Sequence, residues 1–357
     1  MNKKLISLLL SAALAVSMLT VPAFAAEGGE ADAALDETNE VVVTLGDTVT
    51  ASTVEDTDKA AADKTAADKT KTADSAPTAS TEKKQITYVA LGDSIVAGVG
   101  LADVKYAKDS TTLYSVDMSP NFKGYSPDCY VGKVATMMGL DRDHAINLGL
   151  PALTAPDLAD MVRDGQMPKM NMESGCWYKY PEFQDYIRKA DVVSVQIGSN
   201  DAFVPCIVAL GNATNWKSEA LAASVLAGDL RASGSPAAAL IQGIKDMHLT
   251  RDERNATWNL LTSEMGKICD RIYPQTTAGL ISVVQEIRKL NPDCQILLMG
   301  YTDPVPFVPC WHNYFKKLNK FEKQLAETYD LTYVAIPKAK TDLDVHPTIS
   351  GHEYIAK

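Results

Sequence analysis

Short apolar segments that alternate with longer helix-like segments place the strongest constraint on how this chain can fold. The apolar segments are residues 86–91, 191–197, 295–299 and 331–336, and residues 280–290 and 311–329 have the spacing of amphipathic helices. Nearly continuous apolar strands separated by helices are typical of a parallel sheet covered on both faces. The pattern therefore predicts an α/β fold, and we interpret residues 202–277, rich in Ala, Leu and Asn, as a mostly helical insertion over the functional site.

The first 25 residues have the features of an export signal. Lys3 and Lys4 precede an apolar run over residues 5–19, and Ala23 and Ala25 are small residues at the −3 and −1 positions of a cleavage site. A membrane anchor is the alternative, but spanning a bilayer takes about 20 apolar residues. The sequence therefore predicts a signal peptide over 1–25 and a secreted or cell-surface protein.

The composition changes over residues 26–84 to mainly Ala, Asp, Thr, Lys and Glu. A segment with so few large apolar residues cannot bury enough surface to offset the entropy of ordering. We therefore predict a disordered tether over 26–84 and a folded domain over 85–357.

Charge and composition exclude several classes of partner. The formal net charge is −11 and aromatic residues make up 7% of the chain, which argues against nucleic acid and against an anionic membrane surface. Beyond the signal, the sequence predicts no transmembrane segment.

The strand at 86–91 is followed by Gly92, Asp93 and Ser94. A serine on a sharp turn after a strand exposes its hydroxyl beside free backbone N–H groups, which favour developing negative charge. The alternative is that Ser94 only caps a helix.

A serine needs a base to become a nucleophile, and His346 is the candidate. Asp342 and Asp344 lie just before it in sequence and Pro347 follows it. Either carboxylate is close enough in sequence to orient the imidazole. His352, six residues later, we interpret as a packing or capping residue.

Two further segments can stabilise an oxyanion. Asn200, in a Gly-Ser-Asn-Asp sequence after the strand at 191–197, carries an amide that donates without charge, although an Asn-Asp turn is the plainer interpretation. Residues 147–154 we interpret as a loop of small residues that brings a backbone N–H near a reacting carbonyl.

Together these segments strongly resemble the SGNH/GDSL hydrolases, a family of esterases, lipases and deacetylases. The matching motifs are the Gly-Asp-Ser block at 92–94, the Gly-x-Asn-Asp block at 198–201 and the Asp/His-Pro block at 344–347. The resemblance implies a three-layer α/β/α sandwich with a mostly parallel, flavodoxin-like sheet. It also implies Ser94 as nucleophile and oxyanion donor, Asn200 as a second donor, and His346 as general base with an Asp.

The chain departs from the family pattern at two places. The position of the usual oxyanion glycine is occupied by Ala152, with Gly149 as the alternative, and we expect Ala152 to serve only if its φ is negative. The usual acid position, three residues before the His, is Leu343. We therefore expect Asp344 as the triad acid, with Asp342 as the alternate.

The implied reaction is hydrolysis of a carboxylic ester through an acyl-enzyme on Ser94, without cofactor or metal. The substrate is a small-molecule, lipid or polysaccharide ester, and we expect a monomer. Two alternatives stay open: a carbohydrate O-acetylesterase, for which Trp177, Tyr178, Tyr180 or Trp311 would form a sugar-stacking wall, and a non-catalytic glycan- or wall-binding protein. Long-chain lipase activity would use an apolar patch, for which residues 202–210 are the candidate.

The chain has six cysteines, at positions 129, 176, 206, 269, 294 and 310. In an exported protein they allow three disulfides. We expect Cys206–Cys269 to be one of these, a cross-link across the insertion. The alternative is that some cysteines stay reduced and pack in the core as small apolar residues.

Overall fold

The computed structural model describes residues 85–101, 103–104, 122–221, 233–304, 308–341 and 346–357. The predicted signal peptide, its cleavage site after Ala25, the tether, and the two candidate acids Asp342 and Asp344 lie outside the described residues.

A five-stranded parallel sheet forms the centre of the fold. Its strands are β1 Tyr88–Gly92, β2 Ala145–Gly149, β3 Val192–Gln196, β4 Gln295–Met299 and β5 Thr332–Val334. They are arranged in the order β2-β1-β3-β4-β5, and every neighbouring pair is parallel. This is the flavodoxin-like order, and the expected α/β class is confirmed.

Sequence patterning missed one strand. β2 covers Ala145–Gly149, whose last three residues the sequence predicts to lie in a loop. The strand is short and carries Asn147 and Gly149, two residues depleted in strands, so no continuous apolar run marks it. It forms because both of its faces are buried between helices and it pairs along its length with β1.

Helices cover both faces of the sheet. They are α1 Ser94–Ala97, α2 Tyr130–Met138, α3 Ala155–Asp164, α4 Phe183–Lys189, α5 Ser199–Ala213, α6 Pro236–Asp246, α7 Arg251–Asn259, α8 Met265–Leu290, α9 Pro309–Thr328 and α10 Ile349–Ala356. A π-helical turn, Leu260–Glu264, joins α7 to α8.

Alternate residues of β1 separate two apolar cores. Val89 and Leu91 belong to the larger core, which contains side chains of α3, α4, α5, α8 and α9. Tyr88 and Ala90 belong to the smaller core, which contains side chains of α1, α2 and α10. This period of two confirms the expected three-layer α/β/α arrangement.

The described part of 202–277 is mostly helical, as predicted. Its last segment belongs to α8, which packs against α3 and α9 as part of a sheet-covering layer. Residues 202–210, considered as a lipid-binding patch, lie in α5, where Phe203 and Leu210 are 1% and 2% exposed. That segment is core, so the prediction of an apolar surface there is wrong.

Within the described ranges, no helix has both the length and the apolar character that a membrane span requires.

Candidate active site

The nucleophile candidate, Ser94, begins a one-turn helix directly after β1. Asp93 caps α1 by accepting the Ile95 N–H at 2.9 Å, and Gly98 ends it in the left-handed region. Gly92 has φ +155°, and a Cβ there would overlap the carbonyl oxygen of Gln196 on β3. The tight turn therefore depends on glycine at 92. Because α1 has only four residues, Ser94 lies beside a few backbone N–H groups and not at the end of a long helix.

His346 lies against Ser94, as the sequence predicts. Its Nε2 is 3.0 Å from Ser94 Oγ, and the two side chains are 2% and 7% exposed. His346 reaches this position because residue 347 forms a β-bridge with Thr341 and α10 begins soon after, capped by Thr348. A hydroxyl at this distance from a ring nitrogen can pass its proton to the imidazole.

Asp93 joins the carboxyl ends of three strands, a role that the sequence did not reveal. Its Oδ2 accepts hydrogen bonds of 2.7 Å from Ser199 and from Tyr301, which follows β4. Burial raises the pKa of Asp93, although these donors and the Ile95 N–H oppose the shift. The residue before Ser94 is thereby bonded to the residue before Asn200.

Asn200 is buried at the start of α5, directly after β3. Its Nδ2 donates to the Leu153 carbonyl at 3.0 Å, so the plain turn interpretation is incomplete. A side-chain amide has two N–H groups, and this bond uses one of them. The bond places Asn200 against the loop that carries Ala152.

Ala152 departs from expectation, because its φ is +58° rather than negative. Hydrogen bonds hold the residues on both sides of it: Tyr178 donates its hydroxyl to the Pro151 carbonyl at 2.9 Å, and Asp201 accepts the Ala155 N–H at 2.9 Å. The condition that φ be negative was wrong because it treated the loop alone: contacts on either side can accommodate an alanine in the left-handed region, and a positive φ leaves its N–H able to donate. In the described structure the Ala152 N–H has no backbone acceptor.

Gly149, the alternate oxyanion donor, is already engaged. Its N–H donates to Asn147 Oδ1 at 2.9 Å, while the Asn147 amide donates to the Val96 carbonyl of α1 at 2.7 Å. Gly149 therefore serves packing, and Asn147 fixes the turn that carries Ser94. The structure contradicts Gly149 as a donor.

Asp201 is a buried carboxyl beside this loop. Burial raises its pKa to about 7, and the negative charge of Asp157 adds to this rise. Hydrogen bonds from the Ala155 N–H and from Thr276 lower the pKa and offset part of the effect. Near neutral pH the group is therefore close to half protonated.

The aromatic residues considered for a sugar-stacking wall differ in their exposure and contacts. Trp311 is 1% exposed and packs edge-on against Phe203, and Tyr178 is occupied with Pro151. Tyr180 packs on Phe122, and Trp177 is half exposed. The wall is contradicted for Trp311 and Tyr178.

His352 packs, as predicted. It is fully buried, its Nδ1 accepts the Tyr130 N–H at 3.3 Å, and its ring stacks on that of Tyr130.

Across the described residues, no group of three or more His, Cys, Asp or Glu side chains is arranged to hold a metal ion.

Comparison with known proteins identifies a family. The profile of the GDSL-like Lipase/Acylhydrolase family matches residues 90–354. The chain belongs to this family. The matched region of this GDSL-like acylhydrolase contains Ser94, Ala152, Asn200 and His346. No curated relative matches the sequence.

Among solved structures, similar folds include a lipase from a goat rumen metagenome, with 14% identity, TM-score 0.42, and coverage of 76% of this chain and 94% of that one. An extracellular lipase from Streptomyces rimosus has 14% identity, TM-score 0.41, and coverage of 75% and 95%. A catalytic mutant of an acetylxylan esterase from Geobacillus stearothermophilus has 17% identity, TM-score 0.37, and coverage of 76% and 90%.

Proposed function

We propose that this GDSL-like acylhydrolase is a serine esterase that cleaves carboxylic esters through an acyl-enzyme on Ser94. The observation that carries the proposal is the 3.0 Å contact between Ser94 Oγ and His346 Nε2 in a buried setting. A binding protein would gain nothing from a nucleophile held against a base.

In the proposed reaction, Ser94 Oγ attacks the ester carbonyl while His346 Nε2 takes the hydroxyl proton. His346 then returns the proton to the leaving alcohol, and a water molecule activated in the same way releases the acid. An aspartate orients the imidazole and stabilises its charged form, and we propose Asp344 for this role with Asp342 as the alternate.

The oxyanion of the tetrahedral intermediate is proposed to accept hydrogen bonds from the N–H groups of Ser94 and Ala152 and from the Asn200 amide. The bond between Asn200 and the Leu153 carbonyl supports this grouping, because it holds the amide and the Ala152 loop together. Donors that are fixed before reaction cost no reorganisation when charge develops.

Carbohydrate O-deacetylation is the second candidate. A pocket of about 410 Å3 borders the loop after Ala152 at Thr154 and reaches Asp201, the neighbour of Asn200. Its wall carries carboxylates and amides, which hydrogen-bond hydroxyl groups; they include Asp157, Asp160, Asn171, Glu173 and Gln275. Apolar side chains, such as Met170 and Met172, also line it, and Ser94 and His346 do not, so the pocket supports a polar substrate group only beyond the Ala152 loop.

We propose that the enzyme acts outside the cytoplasm after removal of residues 1–25.

Ser94→Ala is expected to abolish hydrolysis of short acyl esters and of acetylated sugars while leaving the fold intact. Alanine removes only Oγ, so the circular dichroism spectrum and Tm stay close to those of the parent protein. Initial rates on p-nitrophenyl esters of graded chain length and on acetylated xylooligosaccharides, measured for both proteins, provide the test. Equal rates in parent and variant would favour the binding-protein alternative.

Asp344→Asn is expected to lower kcat by about 10⁴-fold, since an amide favours the wrong imidazole tautomer. Asp342→Asn serves as the matched control and is expected to retain most of the parent rate. A large loss in Asp342→Asn alone would transfer the acid role to Asp342.

A further inference from the structure

Three of the six cysteines meet at the junction of three helices. Cys206 lies on α5, Cys269 on α8 and Cys310 at the second position of α9. All carry free thiols, and the Cys269 side chain is within hydrogen-bonding reach of both Cys206 and Cys310. The pair expected from sequence, Cys206 and Cys269, is therefore adjacent, and Cys310 is an additional partner.

The three thiols differ in their access to solvent. Cys206 is fully buried and Cys269 is 4% exposed, whereas Cys310 is only partly buried. Cys269 and Cys310 line a surface pocket of about 320 Å3 that does not include Cys206. A small molecule in this pocket would therefore meet Cys310 and Cys269 first.

The pocket has a basic lining. Lys316, Lys317 and Lys320 line it, against one carboxylate, Asp270, which pairs with Lys317 at 2.8 Å. This surplus of positive charge attracts an anionic molecule to the two thiols.

The other three cysteines are buried in separate places. Cys129 lies beside Asn147, Cys176 beside the Pro151 carbonyl, and Cys294 beside Asn291. None of their described hydrogen bonds is to another cysteine, so these positions supply controls.

We propose that Cys206, Cys269 and Cys310 form a redox-active thiol cluster in which oxidation by a small anionic disulfide first joins Cys269 to Cys310. Cys206 is the third thiol, to which the disulfide passes by exchange. Cys269 is the shared sulfur in both pairs.

The chemistry balances with a disulfide RSSR as oxidant. The Cys310 thiolate attacks one sulfur, which forms a mixed disulfide and releases RS⁻. The Cys269 thiolate then attacks the Cys310 sulfur, which forms Cys269–Cys310 and releases a second RS⁻. Two thiols of the protein are oxidised and one RSSR is reduced to two RSH. Attack by Cys206 on Cys269 then gives Cys206–Cys269 and returns Cys310 to the thiol.

Cross-linking would stabilise the helical layer next to the site. Cys269–Cys310 would join α8 to α9, and Cys206–Cys269 would join α8 to α5, the helix that begins at Ser199 and carries Asn200. Oxidation is therefore expected to raise Tm by about 5–10 °C through the constraint on the unfolded chain.

The test uses the reduced full chain and glutathione disulfide, which is anionic. Hydrogen bonding to Cys206 raises the pKa of Cys269, and Cys269 together with burial raises that of Cys310. The thiolate is therefore a minor form even in alkaline buffer, so the reaction is run at about pH 9 and followed over hours. Free thiols are blocked with N-ethylmaleimide at intervals, and disulfide-linked peptides are identified by mass spectrometry. We expect the Cys269–Cys310 peptide first, the Cys206–Cys269 peptide later, and two equivalents of glutathione released per disulfide.

Variants separate this mechanism from adventitious oxidation. Cys269→Ser and Cys269→Ala are expected to form no disulfide within the cluster, Cys310→Ser to form Cys206–Cys269 at least about tenfold more slowly, and Cys294→Ser to behave as the parent. A first disulfide that excludes Cys269, an unchanged rate in Cys310→Ser, or full alkylation of all three cysteines after oxidation would overturn the proposal. Because the readout is peptide mass, failure here leaves the test of Ser94 chemistry unaffected.

Discussion

Ala152 shows how tertiary contacts impose a backbone conformation that the residue itself disfavours. An alanine at φ +58° carries strain of about 1–2 kcal/mol relative to the right-handed regions. Tyr178 and Asp201 hold the flanking residues, and the Ala152 methyl is buried at 2% exposure. The methyl's burial, at about 0.8 kcal/mol, offsets only part of this strain.

Ala152→Gly is therefore expected to change the free energy of unfolding by less than about 1 kcal/mol, in either direction, and to keep ester hydrolysis. Glycine relieves the strain but loses the buried methyl and adds chain entropy. Ala190→Gly is the matched control, because Ala190 is 5% exposed at an ordinary φ of −72°. Urea unfolding should show Ala190→Gly to be less stable than Ala152→Gly by about 1–2 kcal/mol. Equal losses in the two variants would contradict the strain at Ala152.

The residues that motifs could predict are those whose chemistry is local. Ser94, Asn200 and His346 each follow a short, recognisable pattern, and the structure brings Ser94 and His346 into contact. Asp93 was seen only as part of a motif, because its partners Ser199 and Tyr301 lie 106 and 208 residues away. The φ of Ala152 likewise depends on residues distant in sequence.

At the level of elements, the close approach of α1 to β2 fixes the position of Ser94. A Cβ on Gly149 would overlap the backbone nitrogen of Ala97 and lie 2.7 Å from the Val96 carbonyl carbon. Since both groups are backbone, neither can rotate away. The glycine permits a short helix to rest directly on the neighbouring strand.

Gly149→Ala is therefore expected to displace α1, lowering ester hydrolysis about 10²-fold and the free energy of unfolding by about 1–3 kcal/mol. Gly266→Ala, on α8, is the control, because a Cβ there meets nothing within 4 Å. That variant should gain about 0.5–1 kcal/mol from helix propensity and keep full activity. Wild-type rates in Gly149→Ala would show that α1 tolerates the shift.

Elements with continuous apolar runs were predictable, and β4 was found at the predicted residues. β2 was not predictable, because Asn147 and Gly149 interrupt its apolar pattern. Both residues are needed for contacts with α1: the Asn147 amide donates to the Val96 carbonyl, and Gly149 leaves room for the α1 backbone. The role of α8 was also missed: its helical spacing was visible, but its contact with α3 depends on the crossover that places both on one face of the sheet.

For the molecule as a whole, buried carboxyls make stability depend on pH. Burial raises the pKa of Asp93 and raises that of Asp201 to about 7. Burial also raises the pKa of Glu322 well above its usual value. Glu322 is 1% exposed, and its Oε2 has no hydrogen-bond partner within the described structure. The folded state therefore retains protons that the unfolded chain releases.

The free energy of unfolding is expected to fall as pH rises from about 4 to about 7. The ordinary pKa of an unfolded aspartate is 3.8, and the folded value for Asp201 is about 7. Between these two pH values the native state binds more protons at Asp201, so the free energy of unfolding falls by up to about 1.4 kcal/mol per pH unit. The contribution is complete below pH 3.8 and is lost as pH rises through 7. Urea titrations at several pH values measure the slope.

Asp201→Asn should reduce that slope, because the amide resembles the protonated carboxyl and does not titrate. Glu327→Gln, at an exposed position of α9, should leave it unchanged. A slope identical in Asp201→Asn and in the parent protein would assign the dependence to other groups.

The contact between Ser94 and His346 joins residues separated by 252 positions. Synthesis of the chain delivers the alcohol early and the imidazole only after every sheet strand has been made. Under the proposed mechanism, a nascent chain that ends before residue 346 would carry the serine without the imidazole proposed as its base.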